Sequence, residues 1–367
     1  MATMTTTGSL NTARAEHRSI LLPNGKVLAM GGNTPTCELY DPSTGLWTST
    51  GSLNTSRTDH TATLLTNGKV LVTGGSNSSG ELYNPSTGIW TTIANAMFSS
   101  RTLHSATLLN NGKVLIVGNT NGCNYFNPVT SLFESAPTIS NTMQISYQTA
   151  NLLNDGTVLL AGGNNGGPTT NKCTIFTGTS WVATGLLNTA RYGHSSILLS
   201  SGKVLVIGGR SNTGAYLTSC ELYDPIAQTW SFANSLNIAR QFFGAVSLPS
   251  GLIFVAGGQA SGSLPNPGYT NSCELFNGSN WATTNNLSVA RAELTTTLLP
   301  SNSVLIIGGR TRGPTTLYKV SELYQDAPPP TTISLFDSVR TGEWFSSTLG
   351  HAGIWTNPIQ SSDRLSH

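Results

Sequence analysis

The chain has 367 residues, room for one large repeat domain or two ordinary ones, and 9% of them are charged against about 25% in an average soluble domain. Net charge is +2 with no Lys/Arg cluster, and no apolar run approaches the roughly 18 residues of a membrane span, which argues against nucleic acid, an anionic membrane surface and a transmembrane helix. Gly, Ser, Thr and Asn take the place of charge, and the 38% of hydrophobic residues fall in regular short runs, so short strands and tight turns are expected rather than disorder.

The first stretch, MATMTTTGSLNTAR, reads as the end of a unit whose beginning is missing, because LWTSTGSLNTSR repeats it directly after Gly45. Residues 2–7 are predicted as a Thr-rich strand. From there one pattern recurs seven times, with the first glycines of the Gly-Gly element at Gly31, Gly74, Gly118, Gly162, Gly208, Gly257 and Gly308. Each unit starts with an Arg 17 residues before that glycine (Arg14, Arg57, Arg101, Arg191, Arg240, Arg291), and in four units a His follows 14 before it (His17, His60, His104, His194). A short apolar strand, an Asn-Gly or Ser-Gly hairpin turn and a strand apolar on both faces, such as KVLVIGG, come next. A variable loop leads to E-L-Y-D-P, a second turn and an aromatic position: Trp47, Trp90, Phe133, Trp181, Trp230 and Trp281.

Four antiparallel strands per unit of about 45 residues, with no helical periodicity, predict an all-β fold, a seven-bladed β-propeller. One such sheet is apolar on both faces, so it needs a neighbour on each side. Gly-Gly marks a close backbone approach, and the aromatics supply area between blades.

Gly-Gly, then Tyr-Asp-Pro, then Trp at this period resembles the kelch motif, over roughly residues 1–324, and the ELYDPSTGxW form looks most like bacterial and some invertebrate kelch repeats. Asn119 replaces the second glycine in unit three, Ile145 and Gln148 stand where Arg and His are expected in unit four, and unit seven has no Trp. A propeller over residues 1–327 is therefore expected, followed by a Pro-led tail, 328–367. Unit seven lacks a fourth strand, and the opening segment is expected to provide it, with Met4 at the position of Trp47, as kelch propellers commonly close their ring with strands from both termini. The tail segment LFDSVRTGEWFSS, 335–347, is the rival donor.

Five cysteines (Cys37, Cys123, Cys173, Cys220, Cys273) share one repeat position, one per unit, and are expected as small buried thiols between blades, not disulfides or a metal cage. Gly80 and Ser321 fill the same slot. The Arg column and the Glu of E-L-Y (Glu38, Glu81, Glu221, Glu274, Glu322) are expected to form buried structural ion pairs. The histidines, with no HxH or HxxxH pair, read first as structural. The resemblance adds a second reading. In kelch substrate adaptors of ubiquitin ligases, this strand position faces the channel mouth and grips an acidic peptide. The matching positions are His17, His60, His104, Gln148, His194, Phe243 and Leu294, a less basic set.

The loops after Gly-Gly are short in units one to four and long in five to seven, where they carry Arg210, Tyr216, Gln259, Tyr269, Arg310, Arg312, Tyr318 and Lys319. Loops carry function on rigid scaffolds, and Arg and Tyr are favoured at hot spots. The expectation is a monomeric, non-enzymatic scaffold without cofactor or metal, whose blade 5–7 loops and channel mouth bind a protein or peptide with acidic or planar groups. A carbohydrate-binding or adhesive extracellular role is the alternative, and a galactose-oxidase-like copper enzyme a remote one. No secretory signal is visible at the start, while the composition leans towards an extracellular protein if Met1 is not the native start. The N-x-S/T sequons at Asn54, Asn77, Asn277 and Asn286 are no more than chance in so Asn- and Thr-rich a chain.

Overall fold

A computed structural model describes residues 2–120, 122–139, 146–164, 168–260, 268–311 and 316–326. Seven four-stranded antiparallel sheets form the blades. Blade 1 runs Arg18–Leu21, Val27–Met30, Cys37–Asp41 and Leu46–Thr50 in spatial order. Blades 2 to 6 repeat that order, and the described residues contain no helix. Consequently, among the described residues no helix is long and apolar enough to cross a membrane. The first strands of adjacent blades touch one another around the ring, and Arg18–Leu21 meets Thr295–Leu298 to complete it. They surround the axis.

The period of two along a strand explains why both faces are apolar. In the second strand of blade 1, Leu28 and Met30 pack with Val70 and Val72 of blade 2. Val27 and Ala29 face the other way, onto Leu305 and Ile307 of blade 7. Each blade–blade interface holds one such core cluster, seven in all.

Blade 7 is completed by the opening segment. Thr3–Thr6 pairs antiparallel with Ser321–Gln325, and Met4 lies opposite Tyr324 as Trp47 lies opposite Tyr40. The tail, expected at 328–367 and including the rival segment 335–347, lies outside the described residues.

The uniform columns of the repeat are structural. Arg240 and Glu274 meet at 2.7 Å with both side chains fully buried, and four further blades repeat the pair. Burying the two charges is costly, and additional hydrogen bonds offset it. Arg14 donates to the Gly31 carbonyl at 2.8 Å, while Glu38 accepts from the backbone amides of Asn11 and Thr12. The SLNTAR stretch thus caps the carboxylate of its own blade. In blade 3 Asn124 replaces the glutamate, and Arg101 donates to its Oδ1 at 3.1 Å. The five cysteines are buried free thiols, and burial pushes Cys37 up to about 11. Gly80 occupies the slot next to Phe133 in blade 3, where an added Cβ would lie 2.6 Å from the Phe133 Cζ.

Candidate functional site

Gly-Gly, the Arg/His segments and the long loops all lie at one end of the ring. Gly31 has φ +70°, and a Cβ there would come within 2.5 Å of His60 Cε1 and 2.8 Å of the Arg57 carbonyl. Gly74, Gly162 and Gly308 seat the following blade's histidine in the same way, and Gly257 seats Leu294. His17 Nε2 meets Thr295 Oγ1 at 3.0 Å, and His194 Nε2 meets Thr149 Oγ1 at 3.1 Å. Burial is the largest cause holding all four rings well below the usual imidazole range, with neighbouring arginines adding to it, and His104 and His194 fall to about 3. These histidines are neutral wedges between blades.

The residue before each histidine position behaves differently. Glu16, Asp59, Leu103, Tyr147, Gly193, Phe242 and Glu293, one per blade, all have φ between 52° and 62°. Backbone bonds link them around the axis: Leu103 N donates to Asp59 O at 3.0 Å, Tyr147 N to Leu103 O at 2.9 Å and Glu293 N to Phe242 O at 2.8 Å. Phe242 N donates likewise to Gly193 O, and Glu16 N to Glu293 O. Six of the seven are not glycine, although the left-handed region costs an L-residue about 1–2 kcal/mol. Strain of this kind collects at functional sites. Replacing Leu103 by Gly is accordingly expected to raise unfolding free energy by about 1 kcal/mol in urea titrations, after the added chain entropy is counted.

These seven residues surround a cavity of about 470 Å³ at the axial mouth. One arc is aromatic. The Tyr147, Tyr192 and Phe242 rings lie 5.4–6.4 Å apart, and Gly193 makes room for them, since a Cβ there would sit 2.8 Å from the Phe242 ring. The opposite arc is charged: Glu16, Asp59 and Glu293 with Arg18. Arg18 donates from Nη1 to the His17 carbonyl at 3.1 Å. Burial pulls its pKa down, and Asp59, then Glu16, pull it up. Arg310 clasps Glu16 and Glu293, so it joins blade 1 to blade 7.

Of the residues expected from the sequence, Arg210, Gln259, His104, Gln148 and His194 line this cavity. Arg210 Nε donates to the Gly214 carbonyl at 2.8 Å, and its guanidinium lies over the Tyr216 ring at 5.3 Å. Gln259 accepts from Gln241 Nε2 at 2.6 Å, and Tyr269 is buried beside it. Tyr318 and Lys319 accept backbone bonds from Arg14 and Leu10 near the closure. His17 and His60 are fully buried and stand outside the lining. Arg312 lies outside the described residues. The axial ring and Arg18 were missed by the sequence reading. The signal was present in the repeat: a column reading Glu, Asp, Leu, Tyr, Gly, Phe, Glu two residues after the near-uniform Arg column, and Arg18 in a column otherwise Thr61, Ser105, Thr149, Ser195, Gly244 and Thr295.

Residues 191–237 match the Kelch motif. A solved fungal alcohol oxidase, described as having catalytic diversity among the AA5 family and in complex with copper, is similar at 19% identity and TM-score 0.70, covering 88% of this chain and 75% of that one. The structure of YjhT is similar at 14% identity and TM-score 0.54, covering 86% of this chain and 96% of that one. Comparison with curated proteins gives no match. At these identities the likeness is one of fold. It also corrects the expectation of a non-enzymatic protein- or peptide-binding scaffold, because a structure with the same frame is a copper oxidase. Kelch propellers commonly bind proteins, and the fold by itself decides neither a binding nor an enzymatic role. The loop arginines expected to receive an acidic partner are also engaged internally, Arg210 with its own loop and Arg310 with two glutamates.

Proposed function

We propose that this seven-bladed kelch-repeat propeller binds a small molecule in the cavity at its axial mouth. The observation that supports this most is the axial ring. Seven equivalent backbone positions share one left-handed conformation, six of them without glycine, and their side chains differ from blade to blade while the Arg column two residues before them stays near-uniform. A scaffold gains nothing from that variety at a strained position. A concave, largely preformed site with an aromatic wall and convergent polar groups does.

The copper of the similar oxidase does not fit these residues. Among the described residues no group of three or more His, Cys, Asp or Glu could hold a metal ion. His104 and His194, which line the cavity, each direct Nε2 to a threonine hydroxyl, and their Cε1 edges pack on the glycine of the preceding blade. The cysteines lie in the blade interfaces.

A fragment screen by saturation-transfer NMR on the full chain tests the reading. Hits are expected to lose their signal with Phe242→Ala, which removes part of the aromatic wall. Hits that bind this variant as well as the parent would place the site elsewhere.

A further inference from the structure

We infer that the axial cavity takes a small planar cation that donates N–H hydrogen bonds, of the aromatic amidine class. This rests on the small-molecule reading above and adds the chemistry of the ligand.

The cavity's unpartnered buried atoms include two amide oxygens, beside Nδ1 of His104 and of His194. Gln148 is 7% exposed and Gln241 1% exposed, and both line the cavity. Gln148 Nε2 donates to the Val117 carbonyl at 2.9 Å and Gln241 Nε2 to Gln259 Oε1. The Oε1 of each has no hydrogen-bond partner among the described residues. A buried acceptor left unmatched is costly, so each calls for a donor. Carboxylates also outnumber guanidinium groups in the lining, with Glu16, Asp59 and Glu293 against Arg18 and Arg210. Arg210 directs Nε into its own loop, and Arg310, outside the lining, is ion-paired with Glu16 and Glu293. The two arcs stand on different blades, Glu16, Asp59 and Glu293 on blades 1, 2 and 7, Tyr147, Tyr192 and Phe242 on blades 4, 5 and 6. An aromatic wall favours a flat group, and its ring faces favour positive charge. A flat cation with N–H donors satisfies both arcs at once. An anion would meet the carboxylates.

Benzamidinium, benzamide and benzoate have nearly the same shape and differ in charge and donors. Isothermal titration of the full chain with each, alongside the fragment screen, tests the proposal. Benzamidinium is expected to bind about tenfold or more tighter than either analogue. Asp59→Asn, whose new side chain tolerates the left-handed backbone, is expected to weaken benzamidinium about tenfold or more and benzamide far less, and so to remove most of that preference. If benzamide or benzoate binds as tightly as benzamidinium, or if cavity-bound fragments are found and benzamidinium does not bind, the ligand class is overturned and the small-molecule site stands. If neither the three probes nor any fragment binds in a Phe242-dependent manner, both fall.

Discussion

Between pH 7.5 and pH 5 this propeller is expected to lose about 4 kcal/mol of folding stability through His104 and His194 alone. Both imidazoles are buried at the cavity wall and titrate at about 3 in the folded chain, against 6.5 when unfolded. Between those values the unfolded chain holds the extra protons, so acid favours unfolding. The contribution is fully present above pH 6.5 and disappears as pH falls towards 3. At pH 5 the unfolded imidazole is 1.5 units below its pKa, which is roughly 2 kcal/mol per ring. His17 and His60 act in the same direction. A typical domain has about 5–15 kcal/mol in total, so the loss is a large fraction of it. Carboxylates do not imitate the effect in this window. Asp41, held at about 2 by Ser43 and Lys26, loses its contribution only as pH falls below the usual 3.8. Urea unfolding at the two pH values measures the loss. The double variant His104→Gln, His194→Gln separates it from other acid effects, because blade 4 already holds Gln148 in this slot, bonded to the Val117 carbonyl. The variant's stability is expected to change much less between pH 7.5 and 5. Equal stability of the parent at both values would show that the rings are protonated without cost.

The architecture was legible in the sequence because repetition made each blade a replicate of the others. Arg14 and Gly31 recur at a fixed spacing, and Cys37 and Glu38 stay adjacent at the head of E-L-Y, so their roles could be read as size and pairing requirements, and the structure places them in buried pairs, close approaches and interface slots. Even Asn119 in place of a glycine follows that logic, since its φ is 66° and asparagine tolerates that region. The site was less legible for the same reason. Attention to recurrent residues led to the histidines, which recur because they wedge blades apart, and to the longest loops, whose Arg210 and Arg310 are engaged within the protein. What distinguishes the axial ring is the backbone conformation of Glu16, Leu103 or Phe242, and apart from Gly193 and Asp59 no residue type in that column signals a positive φ. Only the folded backbone shows that seven dissimilar residues share one strained geometry and converge. Fold and ligand thus use different parts of the repeat: uniform columns form the interfaces, and the non-uniform column faces the cavity.

Removing residues 1–8 is expected to lower the melting temperature by about 5–10 °C, from several ladder and side-chain hydrogen bonds worth about 1 kcal/mol each. The segment pairs four residues with the last described strand and covers Tyr324, which is fully buried in the closed ring. It also reaches the first blade. Thr7 Oγ1 meets the Tyr40 hydroxyl at 2.8 Å, and Gly8 N donates to the Gly45 carbonyl at 2.9 Å. Both contacts recur elsewhere, as Thr50 with Tyr83 and Gly185 with Gln228, so the opening strand does what an ordinary fourth strand does. Without it the strand Ser321–Gln325 becomes an open edge, a site for pairing with another chain. The truncated protein is therefore expected to associate at high concentration in light scattering, where the parent does not. A synthetic peptide of residues 1–10 supplied in trans should restore part of the lost melting temperature, because it rebuilds the same ladder at the cost of an association step. An unchanged melting temperature would show that another segment, such as 335–347, can take the strand's place. Loss of stability with rescue by the peptide would leave the opening strand as the closure of the ring.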